Sequence, residues 1–218
     1  MDANATEEQQ IEALKKWWKE NGTSIITGLL LGLAILFGAK SWFAYQERTA
    51  ENASNIYTSL MSALSNGDHM DVTQKAGMLI ADYSGTPYAS LAALAVARVK
   101  LEQDELEAAR AQLQWAMDNA GSDVIRETAR LRLVRVLIAE GNYADAETLI
   151  NEAGASGAFE PLYRERHGDI HLAQGDVASA RAEYEHALAA MKPDMPERQL
   201  VQLKYDSTAM PVAGGVGE

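Results

Sequence analysis

Apolar and polar positions divide this chain into one uninterrupted apolar run and a long series of half-apolar helical segments. The run covers residues 25–44 and holds a single charge, Lys40. At about 1.5 Å rise per residue, it spans roughly the 30 Å hydrocarbon core of a bilayer. Lys40 lies near the far end, where its stem stays in lipid and its ammonium reaches the headgroups. Trp17 and Trp18 precede the run, and Trp42, Phe43 and Tyr45 close it, as an aromatic belt at both interfaces requires. A cleaved signal peptide would begin basic and end in small residues. Here Asp2, Glu7, Glu8, Glu12 and Glu20 precede the run, and no Ala-x-Ala follows it. A core helix would carry a polar stripe, which is missing. The pattern predicts an uncleaved transmembrane helix over 23–45.

Before the run, Ile11, Leu14 and Trp17 or Trp18 recur at helical spacing, with Lys15, Lys16 and Lys19 among them. This describes either a short amphipathic helix lying on a membrane or partner, or a plain run-in to the membrane helix. Asn21-Gly22 marks the expected break between the two. Lys15, Lys16 and Lys19 outnumber Lys40 and Arg48 on the far side, so residues 1–22 are expected as a cytoplasmic tail, polar and disordered over 1–10. Within the run, Ser24, Gly28 and Gly32 share one helix face, and such small residues let another helix approach closely.

Beyond Tyr45 the apolar period is helical and no two-residue alternation occurs, so the fold class is all-α. Helices are expected over 46–64 and 72–83, separated by the turn Ser65-Asn66-Gly67-Asp68. Pairs follow over 88–103 with 104–117, 124–140 with 141–153, and 161–174 with 175–187. Gly141 and Gly175 stand 34 residues apart, a spacing typical of stacked helix-pair repeats. Residues 196–205, with Leu200 and Leu203, would cap the last pair, and the glycine-rich 207–218 is expected to be disordered. The expected architecture is a transmembrane helix followed by an α-solenoid of about four helix pairs and a capping helix, over 46–206.

Charge narrows the partners. The chain of 218 residues carries 31 acids against 19 bases, net −12. Residues 1–45 hold five of the acids and four of the bases, which leaves 26 acids against 15 bases, net −11, in the remainder. A field of that sign repels phosphate backbones, so nucleic acid is not an expected partner. Cysteine is absent, which removes disulfides, thiolate metal sites and cysteine catalysis. His167 and His171 stand four apart on one helix face, but the glutamate of His-Glu-x-x-His is absent and no third ligand is evident. No phosphate loop, nucleophile elbow or carboxylate pair appears. Catalytic residues, metal ligands and cofactors are therefore all expected to be none.

The repeats resemble the tetratricopeptide family. Gly175-Asp176, Ala180, Tyr184 and Ala187 match its turn and helix-crossing positions, and Gly168 matches its other small crossing position. Gly141-Asn142-Tyr143, Ala146 and Ala153 repeat the match. Leu106, Ala109, Leu113 and Ala116 repeat it with Asp104 in place of glycine. The family's helix-A tryptophan is missing throughout. Such repeats create a concave face lined by the first helix of each pair. Alignment puts Leu94, Arg98, Leu101, Leu131, Arg135, Ile138, Glu165, Asp169 and Leu172 on it as candidate partner-binding residues. The lysine and asparagine set that clamps a chaperone's C-terminal carboxylate is absent.

The order of tail, glycine-bearing membrane helix ending Lys40-Ser-Trp-Phe, Arg130-Leu-Arg-Leu-Val-Arg135 helix and Gly168-to-Asp176 repeat is similar to the ancillary subunits of the SecYEG translocon in Gram-negative bacteria. That resemblance implies a single-pass inner-membrane protein with a periplasmic repeat domain and no catalytic residues. It implies the SecYEG translocon and a PpiD-like periplasmic chaperone as partners, with unfolded translocating polypeptides as further ligands. A scaffold in another cell-envelope complex and a membrane-anchored stress-response regulator remain alternatives.

Overall fold

A computed structural model describes residues 7–153 and 157–209, and every regular element among them is an α-helix. The chain divides into two compact units, residues 1–51 and 52–218. Helix α1, Glu7–Ser65, contributes to both.

In the first unit, α1 is long and apolar enough to cross a membrane, and its apolar side chains stand exposed, Ile35 at 68% and Phe37 at 68%. Thr27 Oγ1 donates to the Thr23 carbonyl at 2.8 Å, so its hydroxyl is satisfied inside the helix. The break expected at Asn21-Gly22 does not occur. Asn21 Nδ2 donates to the Trp17 carbonyl at 3.0 Å, and the Trp18 ring covers Gly22, only 3.1 Å from where a Cβ would stand. Both breaker residues are thus absorbed by the preceding turn. Residues 7–10, expected to be disordered, are helical. The rest of that expectation, residues 1–6, lies outside the described residues.

In the second unit, residues 52–65 of α1 are followed by α2 His69–Asp82, α3 Pro87–Glu102, α4 Leu106–Asp118, α5 Asp123–Ala139, α6 Tyr143–Glu152, α7 Glu160–Ala173, α8 Val177–Ala190 and α9 Arg198–Ser207. From α2 onward each helix packs on the next, and α3, α5 and α7 also meet in succession. That nearest-neighbour stacking buries a continuous core no single pair could form. The crossings are built from small residues. Ala109, Ala116, Ala146, Ala180 and Ala187 are fully buried, and Gly168 lies against the Tyr184 ring.

Four turns close in one way. Gly67, Asp104, Gly141 and Gly175 all take left-handed backbone, with φ of 72, 59, 78 and 84°. After each, the next amide donates back five residues, Asp68 to Ala63, Glu105 to Lys100, Asn142 to Leu137 and Asp176 to His171, at 2.8–3.0 Å. This Schellman closure satisfies carbonyls that a helix end would otherwise strand. Asp104 performs glycine's part at a cost of about 1 kcal/mol.

The last exposed face is covered by α9. Val201 is buried, and Arg198 Nη1 donates to the Leu188 and Met191 carbonyls at 2.5 and 3.0 Å, closing the end of α8. Arg181 lies over the Tyr205 ring at 3.9 Å. Order extends past residue 206, contrary to expectation: α9 reaches Ser207, and Thr208 is buried. The expectation for 210–218 lies outside the described residues.

Candidate partner-binding groove

Helices α3, α4 and α5 border an open cavity of about 410 Å³ lined by Leu94, Ala97, Arg98, Leu101, Leu106, Leu113, Arg132, Arg135, Val136 and Ala139. Its floor is apolar and its rim carries the three arginines. A second cavity of about 340 Å³ shares Arg135 and Ala139 and is completed by Ile138, Asp169, Leu172 and Ala173. The two form one groove across α3, α5 and α7, within the size range of pockets that hold ligand side chains.

The arginines differ in their surroundings. Arg98 Nε donates to Glu102 at 2.8 Å, and that bond holds the Glu102 carboxyl below its ordinary pKa. Arg132 and Arg135 make no ion pair among the described residues. Burial lowers the Arg132 guanidinium's pKa, repulsion from Arg135 and Arg98 lowers it further, and Tyr57 partly offsets this.

Of the residues expected on this face, Leu94, Arg98, Leu101, Arg135, Ile138, Asp169 and Leu172 line the groove. Leu131 and Glu165 do not, and the expectation for them is corrected. Leu131 lies in the core with Ala129, Leu133 and Val134, at the edge of the helical stripe where it turns inward. Glu165 is 1% exposed. Its carboxylate accepts from Lys204 Nζ at 2.6 Å and Arg166 Nη1 at 3.0 Å. Lys204 also donates to Asp169 at 2.6 and 2.7 Å, Arg166 donates to it at 2.8 Å, and the Tyr184 hydroxyl donates to it at 2.8 Å. The cap helix is thus ionically locked onto α7. Burial, then the Asp169 charge, pushes the Tyr184 hydroxyl's pKa far up, so it keeps the proton it donates to Asp169.

Sequence reasoning missed Arg132 and the floor residues Leu106 and Leu113. The missing signal was the pairing of Arg132 with Arg135, three apart on one face of α5.

Ser24, Gly28 and Gly32 are exposed on α1, and open space surrounds both glycines. His167 is half-buried, and burial lowers its pKa. Asp169 is held by Lys204 and Arg166, and no group of three metal-ligating side chains occurs among the described residues.

Known proteins share this architecture. A family model described as a tetratricopeptide repeat-like domain matches residues 15–210. A Haemophilus influenzae protein named ancillary SecYEG translocon subunit is 30% identical over 203 residues, 92% of this chain and 97% of that one. One of the same name from Escherichia coli is 28% identical over 212 residues, 96% of this chain and all of that one. Among solved structures, a putative kinesin light chain from Podosopora anserina with nearly identical TPR-like repeats superimposes with TM-score 0.55. It is 14% identical, covering 73% of this chain and 85% of that one, and is a likeness of fold alone. The chain belongs to the tetratricopeptide repeat-like domain family and, within it, groups with the proteins named ancillary SecYEG translocon subunit.

Proposed function

We infer that the chain is an ancillary subunit of the SecYEG translocon, a non-catalytic binding module anchored by α1. The observation that carries this reading is similarity over nearly the full length to relatives of that name, through anchor and repeats alike. The basic flank at Lys15, Lys16 and Lys19 supports a cytoplasmic N-terminus and a periplasmic repeat domain at the inner membrane. The face of Ser24, Gly28 and Gly32 offers a close-approach surface to a membrane partner. A tether confines the repeats near the channel, which raises their effective concentration toward emerging chains into the millimolar range. The groove then engages an unfolded segment or a PpiD-like chaperone, which assists hand-off of the translocated protein. Residues 1–22 serve as the cytoplasmic tail, 23–45 as the membrane span and 46–206 as the binding domain.

Site-specific photo-crosslinking in membranes tests this. A crosslinker at Gly28 or Gly32 is expected to capture a translocon component. One at Leu101 or Ile138 is expected to capture a chaperone or translocating polypeptide. If positions on both segments capture neither kind of partner, the reading fails.

A further inference from the structure

We propose that the groove between α3, α4 and α5 selects polypeptide segments that pair an apolar side chain with a neighbouring carboxylate. The apolar side chain fills the cavity floored by Leu94, Leu106 and Leu113, and Arg132 and Arg135 take the carboxylate. This deepens the reading above and rests on it, because it names the chemistry of the groove's occupant.

Charge complementarity carries the inference. Outside the groove, every arginine of α4, α5 and α7 has an acidic partner: Arg110 with Glu140, Arg126 with Asp123, Arg130 with Glu127, Arg164 with Glu160, and Arg166 with Asp169. The two groove arginines of α5 have none among the described residues, in a domain where acids outnumber bases 26 to 15. They stand three residues apart, with Arg98 on the same rim. Two uncompensated like charges beside an apolar pit raise the free energy of the empty groove, and an incoming carboxylate relieves it. The guanidinium forks match a carboxylate bidentately. The acid on the groove's far wall does not compete, since Lys204, Arg166 and Tyr184 already hold Asp169.

The cavity favours a polypeptide over a lipid headgroup. Its depth is lined by Leu, Val and Ala side chains and suits compact apolar groups. A domain of net −11 is also repelled from anionic bilayers.

The test uses the full chain in nanodiscs of phosphatidylcholine and fluorescence anisotropy of short labelled peptides. One peptide carries a Leu-Phe pair flanked by Glu, and a second replaces each Glu by Gln. The acidic peptide is expected to bind roughly 10-fold tighter, the effect of about one charge-assisted hydrogen bond. Arg132→Gln and Arg135→Gln should each bring it to the level of the amide peptide, while Arg132→Lys keeps part of the preference. Arg98→Gln should matter less, because Glu102 already engages Arg98. Raising the salt should weaken only the acidic peptide. Equal affinity for the two peptides would overturn charge selection while the groove reading stands. Binding of neither peptide, with crosslinks still formed from Leu101, would overturn it as well. So would loss of acidic-peptide binding when phosphatidylglycerol is added to the nanodiscs at constant ionic strength, which would assign the arginines to headgroups.

Discussion

Gly168→Ala tests the packing that closes the repeat stack. A Cβ at this position would lie 2.4 Å from Tyr184 Cε1 and 2.6 Å from Cδ1, about 1 Å inside ordinary carbon–carbon contact. The ring has no room to retreat. Tyr184 is fully buried among Ala180, Ala187, Leu188 and Val201, and its hydroxyl is held by Asp169 at 2.8 Å. Helices α7 and α8 must part, or the hydrogen bond must stretch. Overpacking costs about 1–3 kcal/mol, and a weakened bond to a carboxylate adds about 1. Alanine's better helix propensity returns about 1. The net expectation is destabilisation by about 1–3 kcal/mol, which in a unit of this size lowers Tm by roughly 2–10 °C. The assay is thermal unfolding of the full chain followed by circular dichroism at 222 nm. Tyr184→Leu in the same chain should make the second substitution cheaper, so the double variant falls short of the sum. A Tm that rises or stays level in Gly168→Ala would refute the claim that a pinned ring sets the α7–α8 distance.

Asp104→Gly should raise stability by about 0.5–1 kcal/mol, seen as a higher denaturation midpoint, because glycine takes φ 59° without the Cβ penalty. Lys204→Met should cost about 1–3 kcal/mol, since it leaves the buried Glu165 and half-buried Asp169 with Arg166 as their sole cation among the described residues. The loss should shrink when Glu165→Gln is combined with it. His167 carries a pH dependence of fixed sign. Its folded pKa lies below the unfolded value of about 6.5, so the unfolded chain binds the proton more readily. Its contribution to stability is present above that value and falls as pH drops toward the folded one. His167→Gln should therefore flatten the decline in Tm between pH 7.5 and 5.5.

Legibility in the sequence followed the range of the interaction concerned. The long apolar helix was readable because its signal is summed over twenty residues. The repeat turns were readable because glycine or a tolerant aspartate is needed at the left-handed position, so even Asp104 revealed its turn. Gly168 was readable because close crossing excludes a Cβ. What failed depended on neighbours. Asn21-Gly22 looks like a break until Trp18 folds over it. Glu165 looks like a surface acid, since nothing local announces that Lys204, 39 residues on, reaches back to it. Leu131 and Arg132 are adjacent in sequence, and about 100° of helix rotation sends one to the core and the other to the groove. A repeat alignment locates that boundary only to within a residue.

Purification of the full chain from native membranes in mild detergent, with quantitative mass spectrometry, tests the central claim most directly. The expected result is recovery of SecYEG translocon components in near-stoichiometric amounts, diminished when Gly28→Leu and Gly32→Leu block the close-approach face of α1. Recovery of a different cell-envelope complex with no translocon component, unchanged by those substitutions, would contradict it.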